Sequence, residues 1–423
     1  MDSSEPHAAA TLVAPGGEES LEDFCLDCRG DAHPRVGDRY HGVAILDRHL
    51  LELLQWCWKY YKHAPGEVVF SALPPSLRKA GTQLPGPPMH YALTEEGKKR
   101  LQTPPGQAKV QYAMLEALVG APKPCEILAD IGSQWRKTLA TLIEHGWVES
   151  GPAAQPVPAF AAGPELTPDQ REAVEAIATD LGNFHCHLLD GVTGSGKTEV
   201  YMTLIEKVLG EGGQALVLVP EIGLTPQLLR RFRERLGLEP AVINSSLTPS
   251  ARLQAWSDAR AGRAALIIGT RSALFTPLAR PGILILDEEH DGSFKQQEGF
   301  RYSARDIAVK RASILGIPVI LGSATPSLES FKNALDGRYG WHRLRERATR
   351  AALPAWRVLD MKQQQAPGGL TTAALDAMDE ALSRGEQAMV FLNRRGFAPV
   401  LMCQSCGWAG SCERCDAHLT WHR

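Results

Sequence analysis

The sequence predicts an α/β fold, a parallel sheet covered on both faces with a phosphate-binding loop at one end. Three observations predict it. Between Leu166 and about Ser330, short apolar runs (HCHLLD, ALVLVP, ALIIGT, ILILDEE, PVILGSA) alternate with amphipathic helical segments, the pattern of successive βαβ units. The first run leads into GVTGSGKT, Gly191 to Thr198. The fourth ends in the acidic cluster DEEH, Asp287 to His290.

The totals set bounds around this core. A chain of 423 residues has room for two or three domains. Its formal net charge of −3 excludes a basic coat protein, so any nucleic-acid contact must come from local basic patches. No apolar run approaches the ~18 residues that span a bilayer. The N-terminus, MDSSEPHAAATLV, lacks the basic start of a secretory signal. Nine cysteines are too few and too unevenly spread for a disulfide scaffold. Four of them, Cys403, Cys406, Cys412 and Cys415, are bunched as metal ligands are, which points to a reducing compartment, the cytoplasm.

Taken in order, residues 1–43 show no periodicity and are expected to be a poorly ordered leader; their CxxC, Cys25 and Cys28, with His33 and His41 downstream, is a weak metal signal. Residues 44–101 are expected to be an α+β unit. The run Leu46 to Tyr61 (LDRHLLELLQWCWKYY) has helical spacing, and GEVVFSALPPSLRKAG reads as a strand and a proline-limited turn. Trp56, Trp58, Tyr60 and Tyr61 could stack on bases, although aromatics on an amphipathic helix more often serve the core. Residues 108–150, helix, turn, helix and then HGWVE, suggest a winged-helix-like unit, and 151–165 a linker. Residues 166–340, which carry GVTGSGKT and DEEH, are expected to form a nucleotide-binding (ATP) lobe. Residues 341–402 are read as a connector and the start of a second α/β lobe, with a helix (TTAALDAMDEALSRG) and a strand (QAMVFLN).

The chemistry sits in the lobe. In G-x-x-x-x-G-K-[ST], here Gly191, Val192, Thr193, Gly194, Ser195, Gly196, Lys197 and Thr198, glycines let the backbone curl so that its N–H groups face phosphates at a helix N-terminus. Lys197 neutralises phosphate oxygens, and the Thr198 hydroxyl completes a Mg²⁺ shell. Asp287, at the end of an apolar strand, is assigned to the same Mg²⁺; Glu288 is placed to orient and deprotonate the attacking water. Upstream, Gln170 in LTPDQREAVEAI has an amide able to donate and accept together, and is assigned to adenine.

Three more segments, LVPEIGLTPQLLRRF (218–232), GTRSALFTP (269–277) and GSATPS (322–327), resemble the motor motifs of helicase superfamily 2. The resemblance narrows at DGSFKQQEGFRYSARDIAVKRA (291–312) and at FLNRRGFAP (391–399) followed by CxxCGW and CxxC. Together these resemble the PriA-type replication-restart helicases over residues 44–423. The resemblance implies a P-loop, RecA-like motor lobe in an ATP-dependent 3′-to-5′ DNA helicase. It makes residues 44–101 the remnant of an N-terminal DNA-binding domain. It implies action at abandoned forks, on single-stranded and forked DNA, with primosome and replicative-helicase loading proteins and the single-stranded DNA-binding protein.

In that family the loop after DEEH senses single-stranded DNA. Phe294, Phe300 and Tyr302 would then be stacking faces, and Lys295, Arg301 and Arg305 phosphate contacts. Residues 403–423 resemble part of a zinc region, with Cys403, Cys406, Cys412 and Cys415 as Zn²⁺ ligands; the family pattern has four CxxC pairs, and His418 and His422 are possible stand-ins. The second lobe lacks the family's later motifs, including its arginine finger, and the N-terminus lacks the family's 3′-end-binding portion, so an incomplete form is expected. Two other readings stand beside this one: a DNA- and ATP-binding chain without unwinding activity, and another superfamily-2 translocase or RNA helicase.

Overall fold

The computed structural model describes residues 39–40, 43–78, 82, 84–87, 89–103, 109–120, 122–124, 126–152, 158–347, 355–359, 370–391, 403, 406 and 408–410. Cys25, Cys28, His33, His41, Cys412, Cys415, His418, His422 and most of FLNRRGFAP lie outside the described residues. The chain divides into two units, Met1–Arg350 and Ala351–Arg423.

The first unit opens with the two-residue strands β1 (Arg39–Tyr40) and β2 (Val43–Ala44), followed by helices α1 (Arg48–Tyr60) and α2 (Pro65–Ala72). Asp47 caps α1 by accepting from the Leu50 N–H at 2.8 Å. Leu50, Leu53, Leu54 and Cys57 are its buried face, at the spacing of one helical side. α2 corrects the expected strand. Pro65 and Glu67 occupy its first turn, and Val68, Val69 and Ala72 are buried; the core selects a helix from a Val-Val-Phe run that is β-prone in isolation. Both helices share one apolar core with the main sheet. They form a layer of the motor lobe.

Next come β3 (Met89–Leu93), α3 (Glu95–Leu101), α4 (Lys109–Ala117), β4 (Lys123–Pro124), α5 (Glu126–Ala129), α6 (Trp135–Glu144) and β5 (Val148–Pro152). The strands pair antiparallel in the order β4-β3-β5 over a separate core that includes Met114, Leu118 and Leu142. Residues 89–101, assigned from sequence to the preceding unit, thus belong to this small α+β body.

The lobe's sheet is entirely parallel. It contains β6 (Cys186–Gly191), β7 (Gln214–Leu218), β8 (Ala241–Ile243), β9 (Leu266–Gly269), β10 (Pro281–Asp287), β13 (Val319–Ser323) and β14 (Gly340–Leu344), in the order β14-β6-β13-β10-β7-β9-β8. A short hairpin, β11 (Lys295–Gln296) and β12 (Tyr302–Ser303), follows β10. Helices α7 (Pro168–Ala178), α8 (Lys197–Gly210), α9 (Pro226–Leu236), α10 (Pro249–Arg260), α11 (Ala304–Leu315) and α12 (Leu328–Leu335) connect the strands. Alternate residues serve opposite faces, as a pleated strand requires. Leu284 and Leu286 belong to the core shared with α1; Ile283 and Ile285 belong to the core under α8. The five runs read from sequence are five of these strands. β14 corrects the expected connector, since Leu344 pairs with Gly191 and Trp341 with Leu188. The result is an α/β, RecA-like motor lobe.

In the second unit α13 (Thr372–Ser383) forms as expected, capped by the Thr371 side chain. The expected strand after it does not form among the described residues: 387–391 have no strand partner there, and Met389 and Phe391 are exposed. No helix among the described residues is long and apolar enough to cross a membrane.

Candidate nucleotide site

β6, β13 and β10 are adjacent, and their carboxyl ends carry GVTGSGKT, GSATPS and DEEH. This is where an open parallel sheet places its ligands. After β6 the chain turns through Gly194 and Gly196, both at φ of 81°, a left-handed geometry that side-chain-bearing residues adopt at a cost. Gly196 caps α8, whose first residue is Lys197. Val192, Thr193 and Gly194 face solvent, Thr198 is half-buried and Ser195 is enclosed. The Lys197 ammonium donates to the Gly191 carbonyl at 2.9 Å and lies 3.9 Å from Glu288 Oε1. The two groups assigned to phosphate and water are thus brought together.

Asp287 ends β10, and its Oδ1 accepts from the Tyr201 hydroxyl at 3.0 Å. Burial, then the neighbouring Asp287 charge, holds the tyrosine pKa well above its ordinary value, so it stays a donor. Burial, then the Glu288 charge, also raises the Asp287 pKa, against the Tyr201 hydrogen bond and the Lys197 charge. Tyr201 was missed in the sequence. It lies four residues after Lys197 on α8, one turn along the same face, which was the available signal. Gly322 of GSATPS completes the arrangement: a Cβ there would sit 1.6 Å from the Tyr201 hydroxyl.

The four DEEH residues have different tasks. Glu288 is half-exposed to the cleft and holds left-handed backbone, φ 51°, an uncommon state for a residue with a side chain. Glu289 turns inward and is 2% exposed. Its carboxylate accepts from Ser327 N (2.7 Å), Ser327 Oγ (3.0 Å), Ser330 Oγ (2.9 Å) and Arg305 Nη1 (3.2 Å). His290 Nδ1 lies 2.7 Å from Ser323 Oγ and 3.7 Å from Glu288 Oε2. DEEH and GSATPS are therefore joined by side chains as well as by the register Asp287–Gly322. A cleft of about 300 Å³ opens here between Val219, Pro220, Ile222, Asp287, Glu288 and His290.

Gln170 is 2% exposed. Its carbonyl accepts from Thr167 N at 2.9 Å, and its amide donates to the Ser195 carbonyl at 2.7 Å. Each end makes one hydrogen bond within the protein, so Gln170 ties the start of α7 to the phosphate loop.

The expected stacking faces are corrected. Phe294, Phe300 and Tyr302 are buried. Phe300 stacks on Tyr302 at 4.8 Å and meets Tyr61 edge-on at 5.8 Å, while Tyr302 packs edge-on against Phe275 at 5.5 Å. The physical reason is the helical layer of α1, which covers this loop. Arg305 is corrected likewise, being spent on Glu289, Asp306 and Glu329 and on a hydrogen bond to Ser327. Lys295 and Arg301 remain exposed.

The hard oxygen donors Thr198 and Asp287 suit Mg²⁺. Of the proposed zinc ligands only Cys403 and Cys406 lie among the described residues, where no group of three or more His, Cys, Asp or Glu could hold a metal. A turn closes there, with the Cys403 N–H donating to the Trp408 carbonyl at 2.7 Å.

A family model described as DEAD/DEAH box helicase matches residues 167–334. The chain is 41% identical over 384 residues to the replication restart protein PriA of Haemophilus influenzae, covering 88% of this chain and 52% of that protein. To the protein of the same name from Bacillus subtilis it is 37% identical over 355 residues, covering 78% and 43%. The chain thus spans about half the length of the curated relatives it matches. Among solved structures, the Pyrococcus furiosus Hef helicase domain is similar at 23% identity over 41% of this chain and 37% of that one, with a TM-score of 0.33, too slight to carry an argument.

Proposed function

We propose that this chain, which by sequence is of the PriA type of replication restart helicases, carries the ATP-binding lobe of an ATP-driven, 3′-to-5′ DNA motor acting at stalled forks. One observation carries the reading: three adjacent strand ends bring Lys197 to 3.9 Å from Glu288, beside Asp287 on its Tyr201 hydrogen bond.

In this reading the backbone N–H groups of 191–198 and the Lys197 ammonium hold the nucleotide phosphates. Thr198 and Asp287 hold Mg²⁺, which supplies charge neutralisation at the transferred phosphoryl group. Glu288 orients the water and takes its proton. The DEEH–GSATPS link through His290 and Ser323 supports communication between the nucleotide and the track. Lys295 and Arg301 are proposed phosphate contacts for single-stranded or forked DNA. Zn²⁺ on Cys403, Cys406, Cys412 and Cys415, primosome and helicase-loading partners, the single-stranded DNA-binding protein and a cytoplasmic location complete the proposal.

The test is Lys197→Ala. Removing a charged hydrogen-bond donor to phosphate costs about 1.5–3 kcal/mol, so the affinity for a fluorescent ATP analogue with Mg²⁺ should fall about tenfold or more. Unchanged affinity would sink the site assignment. DNA-stimulated phosphate release separates the motor from the second reading, a chain that holds ATP and DNA without turnover. Metal analysis of the purified protein checks the zinc.

A further inference from the structure

We propose that the outer aromatic edge of α1, formed by Trp56 and Tyr60 and flanked by Lys59 and Lys62, is a contact surface for single-stranded DNA. It rests on the reading of the chain as a DNA motor, and assigns a surface outside the nucleotide site and outside the loop after DEEH.

Leu50, Leu53 and Leu54 of α1 are buried, and Trp56, Trp58 and Tyr61 pack partly buried against the same core, which leaves Tyr60 as the ring turned most to solvent. Tyr60 is 59% exposed, and its ring stacks on Trp56 at 4.6 Å and 16°. Tyr60 also meets Tyr61 at right angles, 4.9 Å away, and more than half of its surface stays open to solvent. Lys59 and Lys62 are exposed beside it. Lys62 holds left-handed backbone, φ 53°, and turns the chain so that Tyr61 and His63, on either side of it, both reach Phe300, at 5.8 and 5.4 Å. Arg301, next to Phe300 in the chain, is also exposed. A flat ring face with cations along it suits a single strand, whose bases offer faces and whose backbone offers charge.

The surface is also wired inward. The Tyr61 hydroxyl accepts from Ser303 N at 3.3 Å, and Ser303 caps α11 by accepting from Asp306 N at 3.3 Å. The first turn of α11 carries Arg305, which bonds Glu289, the neighbour of Glu288. A strand lying on Tyr60 therefore touches a continuous chain of contacts ending at the nucleotide cleft.

The experiment is fluorescence anisotropy of labelled oligothymidylate with the full 423-residue chain, with binding of a fluorescent ATP analogue as the check on folding. Tyr60→Ala should weaken DNA binding about tenfold, within the range of one base–aromatic stack, while Tyr60→Trp retains it and nucleotide affinity stays put. Lys62→Gln should reduce the slope of log affinity against log salt by about 0.7, one phosphate contact on a single strand. Equal DNA affinity of Tyr60→Ala and the parent overturns the surface. Should Tyr60→Ala lose nucleotide binding too, Lys62→Gln decides, and an unchanged salt slope overturns the proposal. A parent that binds no oligothymidylate overturns the motor reading along with it.

Discussion

Two loops leave the same end of the sheet, one after β6 and one after β10, and they are built in opposite ways. The phosphate loop leaves Val192, Thr193 and Gly194 in solvent and relies on its main chain. The loop after DEEH buries Phe294, Phe300 and Tyr302 and leaves polar and charged residues outside, Lys295, Gln297, Glu298 and Arg301. The difference teaches which functions spacing reveals. Glycine positions determine backbone shape directly, so a site made of N–H groups is readable from the residues that form it. A site made of side chains depends on which way each one points. Here that is decided from 242 residues away, where Tyr61 meets Ser303.

The largest effect expected is at Glu289. Its replacement by Ala removes the buried acceptor of four hydrogen bonds, from Ser327 N, Ser327 Oγ, Ser330 Oγ and Arg305, at a cost of about 3–5 kcal/mol of stability. Glu288→Gln, one residue away, should change stability by no more than about 0.5 kcal/mol while turnover falls by about 10²–10⁴. Urea unfolding and phosphate release, run on both variants, would break the comparison if the two behaved alike.

Within the second loop, Phe300→Ala should cost about 3 kcal/mol, and Arg301→Ala no more than about 0.5 kcal/mol. If Phe300→Ala left the unfolding midpoint in place and weakened only DNA binding, the loop would be a stacking face after all.

A smaller effect sharpens the first loop's side. His187 lies on β6, at the end away from the phosphate loop. Burial, then the nearby His342 and His185, holds its pKa down to about 3, and outweighs the Asp180 carboxylate 3.3 Å from its Nε2. A free imidazole titrates near ~6.5, so the unfolded chain takes up a proton that the fold refuses. The stability this neutral histidine contributes is complete above pH ~6.5 and is lost as the pH falls, by about 1.4 kcal/mol per unit down toward the folded value. His187→Gln should flatten melting temperature against pH between about 7.5 and 5.5. Parallel curves for parent and variant would count against the assignment.

Much of the lobe was legible because its central strands are buried on both faces and read as unbroken apolar runs. β8 and β14 were not. Both lie at sheet edges, and GWHRL shows neither an apolar run nor a clean alternation. α2 was misread because two adjacent valines favour a strand until α1 and the sheet supply a helical face to fill. QAMVFLN carries a strand's composition, but a strand exists only with a neighbour to bond. At the site, Lys197, Asp287 and Glu288 followed from motif and position. The inward turn of Glu289 and the bond of Tyr201 to Asp287 depend on contacts between segments, to which a linear pattern is blind.

The left-handed backbone of Glu288 sets fold and function at odds at one position. Glycine, asparagine or aspartate would sit there more comfortably, and a sequence library sorted for thermal resistance alone should drift toward them. A library sorted for phosphate release should hold glutamate. The identity of residue 288 thus records which of the two pressures shaped this chain, and stability optimisation should leave it untouched.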